Sequence, residues 1–211
     1  MRACMALLFA LGLAGCAAQP QAPSHTYSLA GMAGQGRQAA SGAEAAAVVR
    51  VAAVNAPAWL QGRGMCYRLE YADGNRLARY AHSRWSAPVP AMVGEAVRNA
   101  LATSGDWKAV VGPGDTAQSD FTVAVRLINL CQAFQSPGHS TVRLTARVTV
   151  TDEATDAVVA QKAFHRQRPA PAADAPGGVQ AERQAVGAFA RDVAAWTAGL
   201  DLKAAAGNQR D

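Results

Sequence analysis

The sequence lacks the features by which enzymes and membrane-spanning proteins are most often recognised. It has no G-x-S-x-G, H-E-x-x-H or G-x-x-x-x-G-K-[ST] motif, which are typical of serine hydrolases, zinc proteases and phosphate-binding loops. Its four cysteines and four histidines show no C-x-x-C or H-x-x-x-H spacing, so a metal site is not expected. An apolar stretch at residues 3–15 is shorter than the roughly 20 residues that a transmembrane helix needs. We therefore expect no catalytic residues, no metal and no cofactor.

The net charge of the chain is modest, and its charged residues are scattered along the sequence. The chain carries a net charge of +5 at pH 7, from 20 basic and 15 acidic residues, and the basic residues form no continuous run. A nucleic-acid-binding surface usually shows a dense basic patch, so no nucleic-acid partner is expected. Solvated arginines on polar faces account for the surplus, although a mild attraction to anionic lipid headgroups stays open.

The N-terminus has the form of an export signal. A positive residue, Arg2, precedes the apolar stretch, and Leu13-Ala14-Gly15-Cys16 ends it. This tetrapeptide resembles the lipobox of bacterial lipoproteins, which implies cleavage before Cys16, removal of residues 1–15 as a signal peptide, and lipidation of the Cys16 thiol. Several acyl chains would then anchor the protein stably to a membrane. The alternative is an ordinary signal peptide in which the cysteine is incidental.

Two cysteines remain after such processing. Cys4 would be removed with the signal and Cys16 would carry lipid, so Cys66 and Cys131 are left in an exported, oxidising compartment. Both lie in apolar segments with the character of strands, and we predict a disulfide between them. Two free thiols are the alternative.

Periodicity predicts one α/β domain: a mixed sheet with an antiparallel hairpin, packed by two long helices. Residues 16–26 are small, polar and proline-containing, which is typical of a flexible tether. The domain is expected over residues 27–201, with a disordered tail at 202–211. Alternating apolar residues predict strands at 121–134 and 142–151, and three- and four-residue steps predict helices after Pro88 and after a proline–alanine linker at 169–178.

The polar residues in the predicted turns have simple explanations. Asp152, Glu153 and Asp156 fall in a hairpin turn, where acidic residues are common. His139 and Ser140 follow Pro137-Gly138, and we interpret them as a polar pair in a loop. Neither group is expected to be catalytic.

The order of several short motifs resembles that of a known family. Tyr27 and Leu29 follow the lipobox, a strand leads to Pro57, Trp59 and Leu60, and a later element with Arg84, Trp85 and Pro88 precedes the first long helix. This series resembles the ABC-type transport auxiliary lipoproteins, the PqiC-like family, over residues 26–200.

The resemblance implies a non-enzymatic periplasmic component of a lipid transport system, with an MCE-domain protein and a permease as partners. Ala17 in place of aspartate after the lipidated cysteine is similar to an outer-membrane address, so we expect the lipid anchor in the outer membrane, facing the periplasm. Self-association into a homo-oligomer stays open. A structural or regulatory envelope lipoprotein, which activates a cell-wall enzyme or joins a secretion machine, is the alternative function.

Two tryptophans are candidate contacts with such a partner. Trp59 and Trp85 belong to the motifs that carry the resemblance, and tryptophan is a preferred anchor at protein interfaces. Packing in the core, or at the entry to a helix, is the interpretation we favour for each, because tryptophan is largely buried on average.

Overall fold

The computed structural model describes residues 23–29 and 47–200, and its elements follow the predicted order. A 3-10 turn at Ala58–Leu60 separates the second and third strands. The eight strands of these ranges are β1 His25–Tyr27, β2 Val48–Val51, β3 Gly64–Leu69, β4 Gly74–Trp85, β5 Ala109–Val111, β6 Phe121–Ser136, β7 His139–Asp152 and β8 Val158–Pro169. The helices are α1 Glu70–Asp73, α2 Val89–Ser104 and α3 Ala175–Ala198.

All eight strands belong to one mixed sheet. The long strand β6 pairs antiparallel with β7 along its whole length, and β7 pairs antiparallel with β8. The other edge of β6 pairs in parallel with β2 near its start and with β3 near its end. Strands β4 and β1 continue beyond β3, and β5 continues beyond β2. The predicted class, a mixed sheet with an antiparallel hairpin and two long helices, is confirmed.

The hairpin strands bury one face. In β7 the inward positions are almost fully buried and alternate with half-buried or exposed polar residues, as the sequence pattern predicts. The buried side chains face α3, which contacts β6, β7 and β8. These buried residues are Val142, Leu144, Ala146, Val148 and Val150.

Helix α2 begins and ends close to where the sequence indicates. It starts after Pro88 and stops at Ser104, and Gly105 follows with a φ of 80°, a left-handed conformation that glycine adopts without strain. Its buried stripe packs toward the sheet and α3, and consists of Val89, Met92, Val93, Val97 and Leu101.

The predicted linker at residues 169–178 is wrong over its second half. Helix α3 already begins at Ala175, and the side chain of Asp174 caps it by accepting a 2.7 Å hydrogen bond from the Gly177 backbone N–H. A proline in the first helical turn is tolerated because the N–H it lacks has no partner there. The composition of this segment is typical of a linker. In the structure, however, Gly177 and Gly178 allow the start of the helix to pack closely against Ala172 and Gln132.

The first strand starts within the segment that the sequence assigns to the tether. Residues 25–27 form β1, which pairs in parallel with β4 from His25 opposite Ser83 to Tyr27 opposite Trp85. Strand β1 thus includes His25 and Thr26, which the sequence assigns to the end of the tether. The predicted tail at 202–211 lies outside the described residues, as do most of the tether and all of the signal peptide.

Candidate functional site

The chain enters the domain at an edge of the sheet. Strand β1 contacts the rest of the protein through β4, and the Tyr27 carbonyl accepts a 2.6 Å hydrogen bond from the Ser86 backbone N–H. Leu29, which follows, is 5% exposed and belongs to the core. Cys16 lies outside the described residues, nine positions before His25. A lipid on Cys16 would therefore connect to this edge of the sheet.

The structure brings Cys66 and Cys131 together. Strands β3 and β6 run in parallel with Tyr67 opposite Gln132, so the preceding residues, the two cysteines, face each other. Their Cα atoms are 5.3 Å apart, and both side chains are buried. This separation lies in the range that disulfides span. The geometry is that of the predicted pair, and its oxidation stays a prediction.

Trp85 does not offer a partner surface. Its side chain is 1% exposed, and its backbone is held on both sides by Arg63, whose carbonyl accepts from the Trp85 N–H at 2.8 Å and whose Nε donates to the Trp85 carbonyl at 2.8 Å. The favoured interpretation of Trp85, packing in the core, is therefore confirmed, and the ring offers no surface for the alternative role at an interface. Its volume fills the core at the end of β4.

Trp59 is half-buried in the 3-10 turn and remains accessible in part. The Arg68 guanidinium lies 5.9 Å from the centre of its ring, and Arg79 donates a 3.1 Å hydrogen bond to its carbonyl. One guanidinium thus lies beside the partly exposed ring, and a second holds the backbone of the same residue. Of the two predicted contact residues, only Trp59 is available to a partner.

The acidic hairpin turn has the structural role that the sequence indicates. Oδ1 of Asp152 accepts hydrogen bonds from the backbone N–H groups of Ala154 and Thr155 and from the Thr155 hydroxyl, each at 3.0 Å. The loop position expected for His139 and Ser140 is wrong, because both belong to β7 and Ser140 is buried.

A buried polar cluster that the sequence pattern did not predict lies beneath the start of α3. Gln132, 1% exposed, lies at its centre. Its Oε1 accepts a 2.9 Å hydrogen bond from the Tyr80 hydroxyl, and its Nε2 donates to Ser140 Oγ at 2.8 Å and to the Asp174 carbonyl at 3.2 Å. The sequence feature that could have indicated this cluster is a glutamine within an otherwise apolar strand, because a buried amide needs hydrogen-bond partners.

Glu182 lies on the first part of α3, close to this cluster. It is 3% exposed, and burial raises the pKa of its carboxyl group well above the usual value. Burial also raises the pKa of the Tyr80 hydroxyl, and the charges of Asp174, Tyr67 and Glu182 add to this increase. The hydrogen bonds of the cluster join β4, β6, β7 and the N-cap of α3.

Comparison with known proteins identifies the family. The model of the ABC-type transport auxiliary lipoprotein component family matches residues 27–194. The chain belongs to this family. The match includes strands β2 to β8, α2 and most of α3, and it confirms the resemblance carried by the motifs around Trp59 and Trp85. No curated protein sequence matches the chain.

Two solved structures share the fold of this transport auxiliary lipoprotein. A Xanthomonas campestris protein assigned to the family DUF330 is 20% identical, with a TM-score of 0.66 over 72% of this chain and 83% of its own. An uncharacterized protein is 14% identical, with a TM-score of 0.64 over 83% of this chain and 99% of its own. At these identities the likeness concerns the fold alone.

None of the helices within residues 23–29 and 47–200 is long and apolar enough to cross a membrane. In the same ranges, no three histidine, cysteine or acidic side chains are grouped so as to hold a metal ion.

Proposed function

We propose that this auxiliary lipoprotein is a non-enzymatic component of an intermembrane lipid transport system, anchored in the outer membrane through Cys16. The family match over residues 27–194 is the observation that carries the proposal. In this role the domain docks an assembly of an MCE-domain protein and its permease at the target membrane. Its contribution is to hold this assembly at that membrane, and it makes or breaks no covalent bond.

The position of β1 supports an anchoring role. Cys16 lies nine positions before His25, and a fully extended chain of that length spans at most about 30 Å. The domain would therefore stay within that distance of the bilayer surface. Because β1 joins the sheet directly, a pull on the anchor would act on β4 and the core rather than on a loosely attached loop.

Trp59 is the residue that we propose contacts the partner. It is the accessible member of the two family-motif tryptophans, and its ring packs against Arg68 on one side. An aromatic ring with a neighbouring guanidinium offers an apolar surface and a charge together, a combination that is common at binding hot spots.

A pull-down from membranes with the Cys16 lipid intact tests the proposal. We expect an MCE-domain protein and a permease to co-purify with the wild type, and Trp59→Ala to reduce their recovery at least tenfold. Tyr71→Ala is the matched control, because Tyr71 is a 49% exposed aromatic residue outside the motif and should leave recovery unchanged.

Genetic interaction gives a second measurement. Deleting the gene should sensitise cells to membrane-active compounds, and deleting the permease as well should add little. Additive phenotypes without a co-purifying MCE-domain protein would contradict the proposal. Recovery of cell-wall synthases or secretion components would instead support an envelope-regulating lipoprotein.

A further inference from the structure

A groove lies between the free edge of the sheet and the last helix. It is a shallow, open groove of about 530 Å³, formed where the edge strand β8 passes under α3. The proposed function makes no use of it. The side chains that define its chemistry are Arg166, Arg168, Ala188, Arg191 and Asp192.

Strand register places two of the arginines on the helix side of the sheet. Arg166 pairs with Leu144 of β7, and Arg168 pairs with Val142. Both β7 partners are buried beneath α3, and residues at paired positions of a sheet project from the same face. On the edge strand β8, arginines thus occupy positions whose counterparts on the neighbouring strand β7 are apolar.

One arginine already has a carboxylate partner. Nε of Arg166 donates a 2.6 Å hydrogen bond to Oδ2 of Asp192, and its Nη2 forms an ion pair with the same oxygen. Asp192 therefore neutralises Arg166 and fixes its side chain against α3.

The other two arginines of the groove have no such partner. In the described part of the chain, neither Arg168 nor Arg191 forms an ion pair with a carboxylate. Arg168 donates one hydrogen bond, from Nη1 to the Gln167 carbonyl at 2.9 Å, which leaves most of its N–H groups available. With three guanidinium groups and one carboxylate, these side chains carry a net charge of +2.

We propose that this groove binds a phosphate group, as free phosphate or as the headgroup of a phospholipid. A phosphate offers several oxygens in the geometry that planar guanidinium groups match with paired hydrogen bonds. Free phosphate as a dianion would balance the charge of +2, and the monoanionic phosphodiester of a phospholipid headgroup would balance half of it. The small side chain of Ala188 in the lining leaves space beside α3 for a ligand of this size.

Calorimetric titration of the lipidated full-length protein in a neutral detergent at low salt tests the site. The two probes are sodium phosphate and dihexanoyl phosphatidylglycerol below its critical micelle concentration. We expect saturable binding of at least one probe, and at least a tenfold loss of affinity in the Arg168→Gln/Arg191→Gln double variant. Binding of phosphate alone would identify a free phosphate site, and binding of the phosphatidylglycerol would identify a headgroup site.

A charge-matched control separates a site from general attraction. Arg126 and Arg147 face each other on β6 and β7 and are exposed, away from the groove. The Arg126→Gln/Arg147→Gln double variant should bind within twofold of the wild type. Equal losses in both double variants, or no saturable binding of either probe, would overturn the proposal.

Folding is checked independently by circular dichroism and thermal unfolding. Should the glutamine variant be unfolded, Arg168→Lys/Arg191→Lys replaces it, because lysine keeps the charge and lacks the planar fork. That variant should bind at least threefold more weakly than the wild type. Unchanged affinity in a folded lysine variant would exclude guanidinium recognition.

Discussion

The Tyr80 hydroxyl donates a 2.9 Å hydrogen bond to Oε1 of Gln132, and this contact ties the outer part of the sheet to its central strand. Gln132 in turn bonds to β7 and to the chain just before α3. All the polar atoms of its side-chain amide are thus used within the protein. A satisfied buried amide favours a single arrangement of the elements around it, because each alternative arrangement leaves a polar group without a partner.

Removing the Tyr80 hydroxyl should destabilise the fold. In Tyr80→Phe, Oε1 of the buried Gln132 loses its donor, and we expect the free energy of unfolding to fall by about 1–2 kcal/mol. Urea denaturation measures the change. Tyr71→Phe is the control, since Tyr71 is largely exposed and should change stability by less than about 0.5 kcal/mol. Equal effects at both positions would contradict a special role for the buried bond.

Adding a methyl group to Gly178 should be costly. A Cβ at this position would overlap the side-chain amide of Gln132, so Gly178→Ala is expected to lower stability by about 1–3 kcal/mol. Gly187→Ala is the matched control in the same helix, where the nearest atom to a new Cβ is Arg191 Nη1 at 3.5 Å. There, alanine should be neutral or stabilising by up to about 1 kcal/mol. Chemical denaturation of the two variants decides between these outcomes.

Glu182 should make stability depend on pH. Burial raises its folded-state pKa above the value near 4.5 expected when unfolded, so the folded protein holds this proton more tightly. The stability that the proton contributes is fully present below pH 4.5 and is lost as pH rises through the folded-state pKa.

Glu182→Gln removes this loss. We expect the variant to exceed the wild type in stability by more than about 1 kcal/mol at pH 8 and to approach it at pH 4. Unfolding curves at several pH values test this, and Glu95→Gln, at an exposed position on α2, provides the control. A difference that is constant with pH would contradict the proposed titration.

The cysteine pair should stabilise the exported protein. Cys66 and Cys131 are 65 positions apart, and a bridge across such a span contributes about 4 kcal/mol in the chain-entropy model. We expect Cys66→Ala/Cys131→Ala to lower the melting temperature of protein isolated without reductant. Mass spectrometry of the non-reduced, alkylated protein identifies the bond directly, and two alkylated thiols would show that it does not form.

Membrane attachment should depend on Cys16. In Cys16→Ser the thiol that would carry lipid is absent, and we expect loss of palmitate labelling and release of the protein from the membrane fraction. Metabolic labelling with fractionation of the envelope measures both, and the Cys4→Ser variant controls for the other signal-region cysteine. A Cys16→Ser protein that is still labelled and membrane-bound would rule out the lipoprotein interpretation.

Local pattern was sufficient to predict much of the fold. The alternation in β7 and the three- and four-residue spacing in α2 arise from the geometry of single elements, so they are visible in a short window of sequence. The end of α2 at Gly105 was predictable for the same reason, because glycine alone adopts the left-handed conformation there without strain. The family motifs added the order of the elements and the class of the protein.

The tertiary structure decided what depends on contacts between distant segments. Residues 175–178 have the composition of a linker, yet they are helical because Asp174 caps them and their glycines fit against Gln132 and the preceding turn. The burial of Trp85, the alignment of Cys66 with Cys131 and the arginine groove beside α3 each require strand register or helix placement. Sequence periodicity determines which face of an element is apolar, whereas only packing determines which residues of other elements that face meets.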